Sequence, residues 1–308
     1  MSVTLDQFTI RYGSQAAVDQ VTAVFPEGST GLLGPNGAGK SSLIKGLLGL
    51  VPIASGKATI LGEDVIEGRK RIRRLIGYMP EDECLIPGLT GLAMVRYTGE
   101  LSGMAPQDAM QRAHEVLFAV GLGEARYRKV QTYSSGMKQR IKLAQAIVHD
   151  PKLLFLDEPT SGLDPRGRQE MLDLIQEIAL KGTMSIVLAT HILIDVERTC
   201  DRVVILNRGK VMEDAKVDAL RGTLSNAFSV RIEGDRESFQ EILKQKGCTV
   251  RTEAKQEFDV TLPGKQGSDF LFRTAKGSGV TIRKMVPAIQ TLEDVFVKRL
   301  QEDRRADL

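Results

Sequence analysis

Gly34-Pro35-Asn36-Gly37-Ala38-Gly39-Lys40-Ser41 matches the phosphate-binding pattern G-x-x-x-x-G-K-[ST] at every fixed position. The stretch follows an apolar run that ends at Leu33, and a segment with helical spacing begins at Ser42. A glycine-rich turn between a strand and a helix points successive backbone N–H groups at one anion, and the helix N-terminus adds its positive dipole. Lys40 offers a charge to the β- and γ-phosphates, and Ser41 offers a hydroxyl ligand to Mg²⁺. The sequence therefore predicts a nucleotide site that includes these residues and Ser42.

The composition is that of a globular protein with one large or two ordinary domains. The chain has 308 residues, of which 42% are hydrophobic and 26% charged, and its formal net charge is +3. So small a charge gives no indication of nucleic-acid binding, and we expect no nucleic-acid partner. Cys84, Cys200 and Cys248 lie far apart without the paired spacing of metal ligands, as free thiols do in a reducing cytosol. No apolar run approaches the roughly 18 residues of a membrane span, so we expect no membrane crossing.

Hydrophobic periodicity changes along the chain and indicates where its parts begin and end. Period-two alternation predicts a β-rich start, and residues from about 84 to 150 have helical spacing, which predicts a helical subdomain. Strands and helices then alternate, as in a parallel sheet covered on both faces. From residue 223 the pattern becomes β-α-β-β-α-β with a closing helix that contains Leu292 and Leu300, which is typical of a ferredoxin-like domain. We therefore predict domains at 1–222 and 223–308.

A second motif places two acids at the end of a buried strand. The apolar run Leu153 to Leu156 leads directly into Asp157 and Glu158. Downstream of a phosphate-binding loop, such a strand delivers its carboxylates beside the phosphates. Asp157 is a candidate ligand for Mg²⁺, and Glu158 is a candidate base for an attacking water. The alternative is a pair of solvated acids at a strand end.

A third motif, Tyr133-Ser134-Ser135-Gly136-Met137-Lys138-Gln139-Arg140, precedes a segment with helical spacing. Its hydroxyls and N–H groups predict a second anion site at a helix N-terminus. An isolated Ser-Ser-Gly would more often be a simple helix cap.

Together with Ser161-Gly162-Leu163-Asp164 and Thr190-His191, the order of these motifs resembles the ATP-binding cassette (ABC) family of transporter ATPases over about residues 1–215. The segment at Tyr133 and the closing Leu292-Glu293-Asp294-Val295-Phe296 resemble the ATPase subunits of ABC-2 type exporters. The resemblance implies an α/β P-loop NTPase cassette with a β-rich lead-in, a parallel core sheet and a helical subdomain. A small α+β accessory domain follows it.

The resemblance also implies roles for single residues. Tyr12 resembles the aromatic side chain that stacks on adenine, although a core or surface tyrosine is the alternative. Ser134 and Gly136 resemble signature residues that contact the γ-phosphate held by a second cassette, which implies a head-to-tail dimer with two ATP molecules. Asp164 resembles the aspartate that links the two sites across that dimer. His191 resembles the switch histidine that senses the γ-phosphate.

Glu81 departs from the family pattern, because a glutamine is usual at this position after the short strand. A glutamate can still reach the metal and the water, but it adds negative charge. In the family, the surface that follows receives a short coupling helix from a membrane subunit. We therefore expect docking near Glu81 to Thr90, where Leu85, Ile86 and Pro87 are apolar. The alternative is a loop that folds over its own core.

These observations predict the ATPase subunit of an ABC exporter, which uses ATP and Mg²⁺ and pairs with a second copy. It would drive a separate integral-membrane permease from the cytoplasmic face of the membrane. Two alternatives stay open: a soluble ABC ATPase that acts on ribosomes or DNA, and a nucleotide-gated regulatory module. The absence of a second cassette and of long heptads argues against the first alternative.

Overall fold

The computed structural model describes residues 2–220, 223–252, 257–263, 267–289 and 292–297. The chain divides into two compact units, and the division lies between Val217 and Asp218. The sequence placed this boundary slightly later, after residue 222. Each unit has its own buried apolar cluster. Among the described residues, no helix combines the length and the apolar character that a membrane span requires.

The first unit alternates strands with helices after a β-rich start. Its strands are β1 (Val3–Tyr12), β2 (Gln15–Phe25), β3 (Ser29–Leu33), β4 (Ser55–Ile60), β5 (Glu63–Asp64), β6 (Ile76–Met79), β7 (Leu153–Asp157), β8 (Ser185–Thr190), β9 (Arg202–Asn207) and β10 (Lys210–Lys216). Its helices are α1 (Lys40–Leu47), α2 (Arg69–Leu75), α3 (Gly91–Leu101), α4 (Pro106–Ala119), α5 (Ser135–Ile147), α6 (Pro165–Leu180) and α7 (Leu193–Thr199), and α8 (Val217–Leu220) lies at the boundary between the units.

The central sheet has six strands in the order β10-β9-β3-β8-β7-β6. All neighbours from β9 to β6 are parallel, whereas β10 pairs antiparallel with β9. The core of the sheet is therefore parallel, as expected, and β10 makes the whole sheet mixed by adding one antiparallel strand at its edge. A hairpin turn too short for a crossover helix forces the antiparallel pairing of β9 and β10. Every residue of β3, β7 and β8 is buried, as in a sheet covered on both faces.

A second sheet, in the order β2-β1-β4-β5, forms the β-rich start of the chain. It packs through Phe8 and Ile10 on the apolar face of α1, which includes Leu43 and Ile44. Gly46 on α1 is needed for this packing, since a Cβ there would lie 2.3 Å from Ile10 Cδ1. The close contact fixes α1, and with it the phosphate-binding loop that precedes the helix, against the antiparallel sheet.

The helical subdomain contains α3, α4 and α5, together with short 3₁₀ helices at Gly123–Tyr127 and Val130–Thr132. Thr90 caps α3 by accepting a hydrogen bond from the N–H of Ala93. The buried apolar residues on these helices include Val95, Leu117 and Ile141. The helices lie within the span of about 84 to 150 that the sequence indicated.

The second unit consists of β11 (Thr223–Glu233), α9 (Arg236–Gln245), β12 (Thr249–Thr252), β13 (Glu257–Thr261), α10 (Asp269–Ser278) and β14 (Thr281–Ile289), followed by a helix α11 at residues 292–297. The sheet order is β12-β13-β11-β14, and all neighbours are antiparallel. Phe239, Phe258 and Leu271 are fully buried in its core. The order of elements agrees with the sequence pattern, while the ferredoxin-like assignment stays a prediction. Leu300, expected on the closing helix, lies outside the described residues.

Candidate nucleotide site

A cavity of about 560 Å³ opens at the C-terminal edge of the central sheet. Residues from several distant parts of the chain line it: Gln15, Ala16, Ala17, the run from Asn36 to Ser42, Glu81, Glu158 and Arg208. Ligands of α/β sheets bind at this edge because parallel strands end there and their loops converge. The cavity unites most of the phosphate-binding loop with both glutamates that the sequence singled out.

The glycines of the loop permit a backbone that other residues would strain. Gly37 and Gly39 have φ angles of +80° and +105°, which place them in conformations that L side chains rarely adopt. A Cβ on Gly39 would also lie 2.3 Å from the carbonyl oxygen of Ala17. The motif therefore needs glycine at position 39 both for its dihedral angles and for the close approach of β2.

Lys40 occupies the centre of the site. It is 6% exposed, and its Nζ donates hydrogen bonds to the carbonyl oxygens of Gly34 at 2.8 Å and Pro35 at 3.3 Å. The same Nζ lies 3.5 Å from Oε1 of Glu158. A buried ammonium group held by its own loop is preorganised to attract phosphate oxygens. Because little water surrounds it, solvent weakens this attraction less than it would for an exposed lysine.

Asp157 lies at the end of β7, is 1% exposed, and accepts a hydrogen bond of 3.1 Å from the hydroxyl of Ser41. Burial raises the pKa of its carboxyl group, and the charges of Glu81 and Glu158 raise it further. The hydrogen bond from Ser41 and the charge of Lys40 act in the opposite direction. The parts of this site are therefore electrostatically coupled: several acids share one small, poorly solvated volume.

Glu158 connects the end of β7 with the end of β8. Its backbone N–H donates to the carbonyl of Ala189, and its carboxylate oxygens lie 2.9 and 3.0 Å from Nδ1 of His191. Thr190 donates its hydroxyl to the same carboxylate at 3.4 Å. The φ of Glu158 is +48°, an uncommon conformation for a residue with a side chain. Such conformations persist where the surrounding structure holds them, often at functional sites.

The oxygen groups of this site suit a magnesium ion. Ser41 and Asp157 supply a hydroxyl and a carboxylate side by side, and Glu81 lines the same cavity. Among the residues that the structure describes, no group of three or more His, Cys, Asp or Glu side chains could hold a metal by itself. Mg²⁺ usually takes one or two carboxylates and completes its shell with water and phosphate oxygens.

Ser134, Gly136 and Asp164 do not join this cavity. They line a second one of about 520 Å³, between the start of α5 and the start of α6. Ser134 caps α5 by accepting from the N–H of Met137, and Asp164 caps α6 by accepting from the N–H of Gly167. Within one chain, the residues expected to bind nucleotide therefore form two separate groups.

Tyr12 is 50% exposed at the end of β1 and does not line the nucleotide cavity, although Gln15 and Ala16 in the same hairpin do. Arg208, with a φ of +48° in the turn between β9 and β10, also lines the cavity. No motif in the sequence marks Arg208. Its signal is topological, because β9 is the parallel neighbour of β3 and ends at the same edge of the sheet.

Comparisons with known proteins agree with this geometry. A family model described as "ABC transporter" matches residues 18–161. The ABC transporter ATP-binding protein YxlF of Bacillus subtilis, described as uncharacterized, is 36% identical over 268 residues, which is 87% of this chain and 88% of that protein. The bacitracin transport ATP-binding protein BcrA of Bacillus licheniformis is 34% identical over 94% of both chains. A dimeric post-hydrolysis structure of the ATP-binding cassette MJ0796 with ADP and Pi has a TM-score of 0.63 at 26% identity, over 71% of this chain and 99% of that one.

Lys40→Ala should weaken ATP binding by about 30-fold to several thousandfold, because truncating a buried charged partner costs about 2–5 kcal/mol. Titration with a fluorescent ATP analogue would measure the effect. Lys45→Ala is the matched control, since Lys45 lies on the same helix outside the nucleotide cavity. Affinity retained in Lys40→Ala, with an unchanged thermal midpoint, would contradict the role assigned to Lys40.

Proposed function

The chain belongs to the ABC transporter family as an ATP-hydrolysing subunit of the ABC-2 exporter type, and we propose that two copies close head to tail around two Mg·ATP molecules and drive a separate membrane permease. The proposal of a dimer rests on one observation. Ser134 and Gly136 sit in a cavity separate from that of Lys40, so one chain presents two incomplete halves. In a head-to-tail pair, the Lys40 half of each copy would face the Ser134 half of the other copy, and two complete sites would form. The MJ0796 cassette, whose structure is dimeric, supports the pairing of two copies by analogy.

In the proposed site, Lys40, Ser41 and the N–H groups of the loop hold the phosphates of ATP. Residues Gly34 to Ser42 supply the cradle, and Ser41, Asp157 and Glu81 would hold Mg²⁺. The ion, when bound, would neutralise charge on the β- and γ-phosphates. Two observations support this ligand set: the hydrogen bond of 3.1 Å from Ser41 to Asp157, and the position of Glu81 in the same cavity as Ser41.

Glu158 is the proposed general base, because its carboxylate lies in the same cavity as the loop. It takes a proton from the attacking water, while His191 holds the carboxylate in place through Nδ1. The ion pair between Lys40 and Glu158 must loosen when phosphate oxygens attract Lys40. We infer that binding of ATP frees Glu158 to face the water, so that the base becomes available only in a loaded site.

The permease would dock on the loop between β6 and α3, near Glu81 to Thr90. Ile86 is 43% exposed there, and Pro87 is also exposed. The loop begins at the nucleotide cavity with Glu81 and ends at the helical subdomain with Thr90, the cap of α3. ATP would favour the closed dimer and its hydrolysis the open one, and the permease would follow whichever state is populated. Such coupling places the chain at the cytoplasmic face of the membrane.

Glu158→Gln should keep ATP binding and accumulate as an ATP-bound dimer. Without the general base, the variant should not hydrolyse the ATP that holds the dimer closed. Loss of a general base lowers hydrolysis by about 10²-fold or more. Light scattering in MgATP measures the mass of the variant, and the unaltered chain in the same buffer is the control. A Glu158→Gln chain that binds ATP but stays monomeric would count against the shared-site proposal.

Ile86→Asp should reduce co-purification with the permease from detergent extracts, because a charge at the interface would lose its water on docking. Hydrolysis by the isolated chain should stay within about twofold, since Ile86 does not line the nucleotide cavity. Leu180→Asp on α6 is the control for adding a charge at an exposed apolar site, as Leu180 is 79% exposed. Permease recovery that is equal in both variants would remove the docking surface from this loop.

A further inference from the structure

Lys142 on α5 is a buried cation outside the nucleotide cavity. It is 4% exposed, and its Nζ donates a hydrogen bond of 2.8 Å to the carbonyl oxygen of Glu81. Burial lowers the pKa of Lys142, and the neighbouring Cys84, Asp82, Glu81 and Glu83 offset only part of that shift. Burying an ammonium is costly unless it is paired and hydrogen-bonded. The position of this lysine is therefore tied to the loop that it contacts.

Lys138 makes a second contact with the same loop. It lies one helical turn before Lys142, on the same side of α5. Its Nζ is 2.6 Å from Oε1 of Glu83, and the two side chains are 29% and 67% exposed. Because this pair faces solvent, it holds the loop less firmly than Lys142 does. The two lysines together attach the backbone that follows β6 to the side of α5.

Helix α5 therefore connects two groups with different roles in the proposed dimer. Ser134 caps its first turn, and Gly136 follows inside that turn, at the second cavity. Two turns further on, Lys142 holds the backbone carbonyl of Glu81, a residue that lines the nucleotide cavity of the same chain. A helix transmits displacement along its axis because each turn is hydrogen-bonded to the next.

We propose that Lys142 is a positioning residue that makes the Glu81 loop and α5 move as one body. Contact of Glu81 with phosphate or metal in one nucleotide site would thereby shift Ser134 and Gly136, which close the other site. The inference rests on the proposed dimer, but the attachment of the loop to α5 can be measured in a single chain. It also assigns a specific task to a lysine that makes no contact with nucleotide.

The first arm of the experiment measures the loop directly. Cys84 is exposed in this loop, whereas Cys200 and Cys248 are buried, so a nitroxide reagent should label Cys84 selectively. Lys142→Met removes the charged donor and keeps an unbranched side chain of similar length. The electron paramagnetic resonance spectrum of the label should narrow in Lys142→Met, because the loop loses its attachment. An unchanged spectrum would overturn the inference whether or not the chain dimerises.

The second arm measures coupling in the Glu158→Gln background. Adding Lys142→Met should raise the ATP concentration at half-maximal dimerisation by about tenfold, the usual size of a coupling between sites. The affinity of the single chain for ATP without Mg²⁺ should change by less than about threefold, because Lys142 does not line that cavity and Glu81 is assigned to the metal. Lys142→Arg keeps a charged donor, and the groove that Lys142 lines offers room for the larger side chain. This variant should therefore dimerise at the same ATP concentration as the Glu158→Gln parent.

Gln145→Met is the matched control. This substitution also introduces a methionine, one turn later on α5. It removes a hydrogen bond to Thr98 of α3 and leaves the contact between α5 and the loop in place. Equal shifts of the dimerisation midpoint in Gln145→Met and Lys142→Met would indicate a general weakening of α5 and overturn the inference. A label that becomes mobile in Lys142→Met, together with a Glu158→Gln parent that never dimerises, would support the attachment and refute the dimer.

Discussion

The parallel pairing of β3, β8 and β7 is the constraint on which the nucleotide site depends. The register sets Leu33 beside Thr190, and Asp157 beside Ala189, so the strands end at one edge. The phosphate-binding loop follows β3, Glu158 follows β7 and His191 follows β8. Residues more than a hundred positions apart in sequence thereby come within hydrogen-bonding distance, as Ser41 and Asp157 do at 3.1 Å. The rest of the first unit keeps this edge in place.

The same edge concentrates negative charge. Asp157 and Glu158 are almost completely buried, and Glu81 adds a third carboxylate to the surroundings of Asp157. The ammonium group of Lys40 offsets part of that charge, and Nδ1 of His191 lies 2.9 Å from a carboxylate oxygen of Glu158. A magnesium ion would neutralise the remaining negative charge, and a glutamate at position 81 is therefore compatible with the proposed reaction. A glutamine there would leave less negative charge for the ion to neutralise, so the residue at position 81 should affect how strongly turnover depends on Mg²⁺.

Local motifs made the strand ends and the loop predictable from the sequence. Gly37 and Gly39 indicate an unusual backbone conformation, and the apolar run into Asp157 indicates a buried strand. Both patterns can be read from the sequence because each lies within a few residues. Arg208 could not be found in this way, since its place in the cavity depends on which strand pairs with β3. Lys142 was hidden for a similar reason. In the sequence it is one polar residue on a helix, and only the tertiary structure shows that it is buried against the carbonyl of Glu81.

In the proposed dimer, each nucleotide site takes Lys40 from one copy and Ser134 from the other. Mixing two inactive variants, Lys40→Ala and Ser134→Arg, tests it most directly. In a head-to-tail heterodimer both defects fall in one site, and the other site is intact. Steady-state ATP hydrolysis by the mixture should therefore exceed the sum of the rates of the two variants measured alone. Hydrolysis no greater than that sum, with heterodimers shown to form, would contradict the shared site.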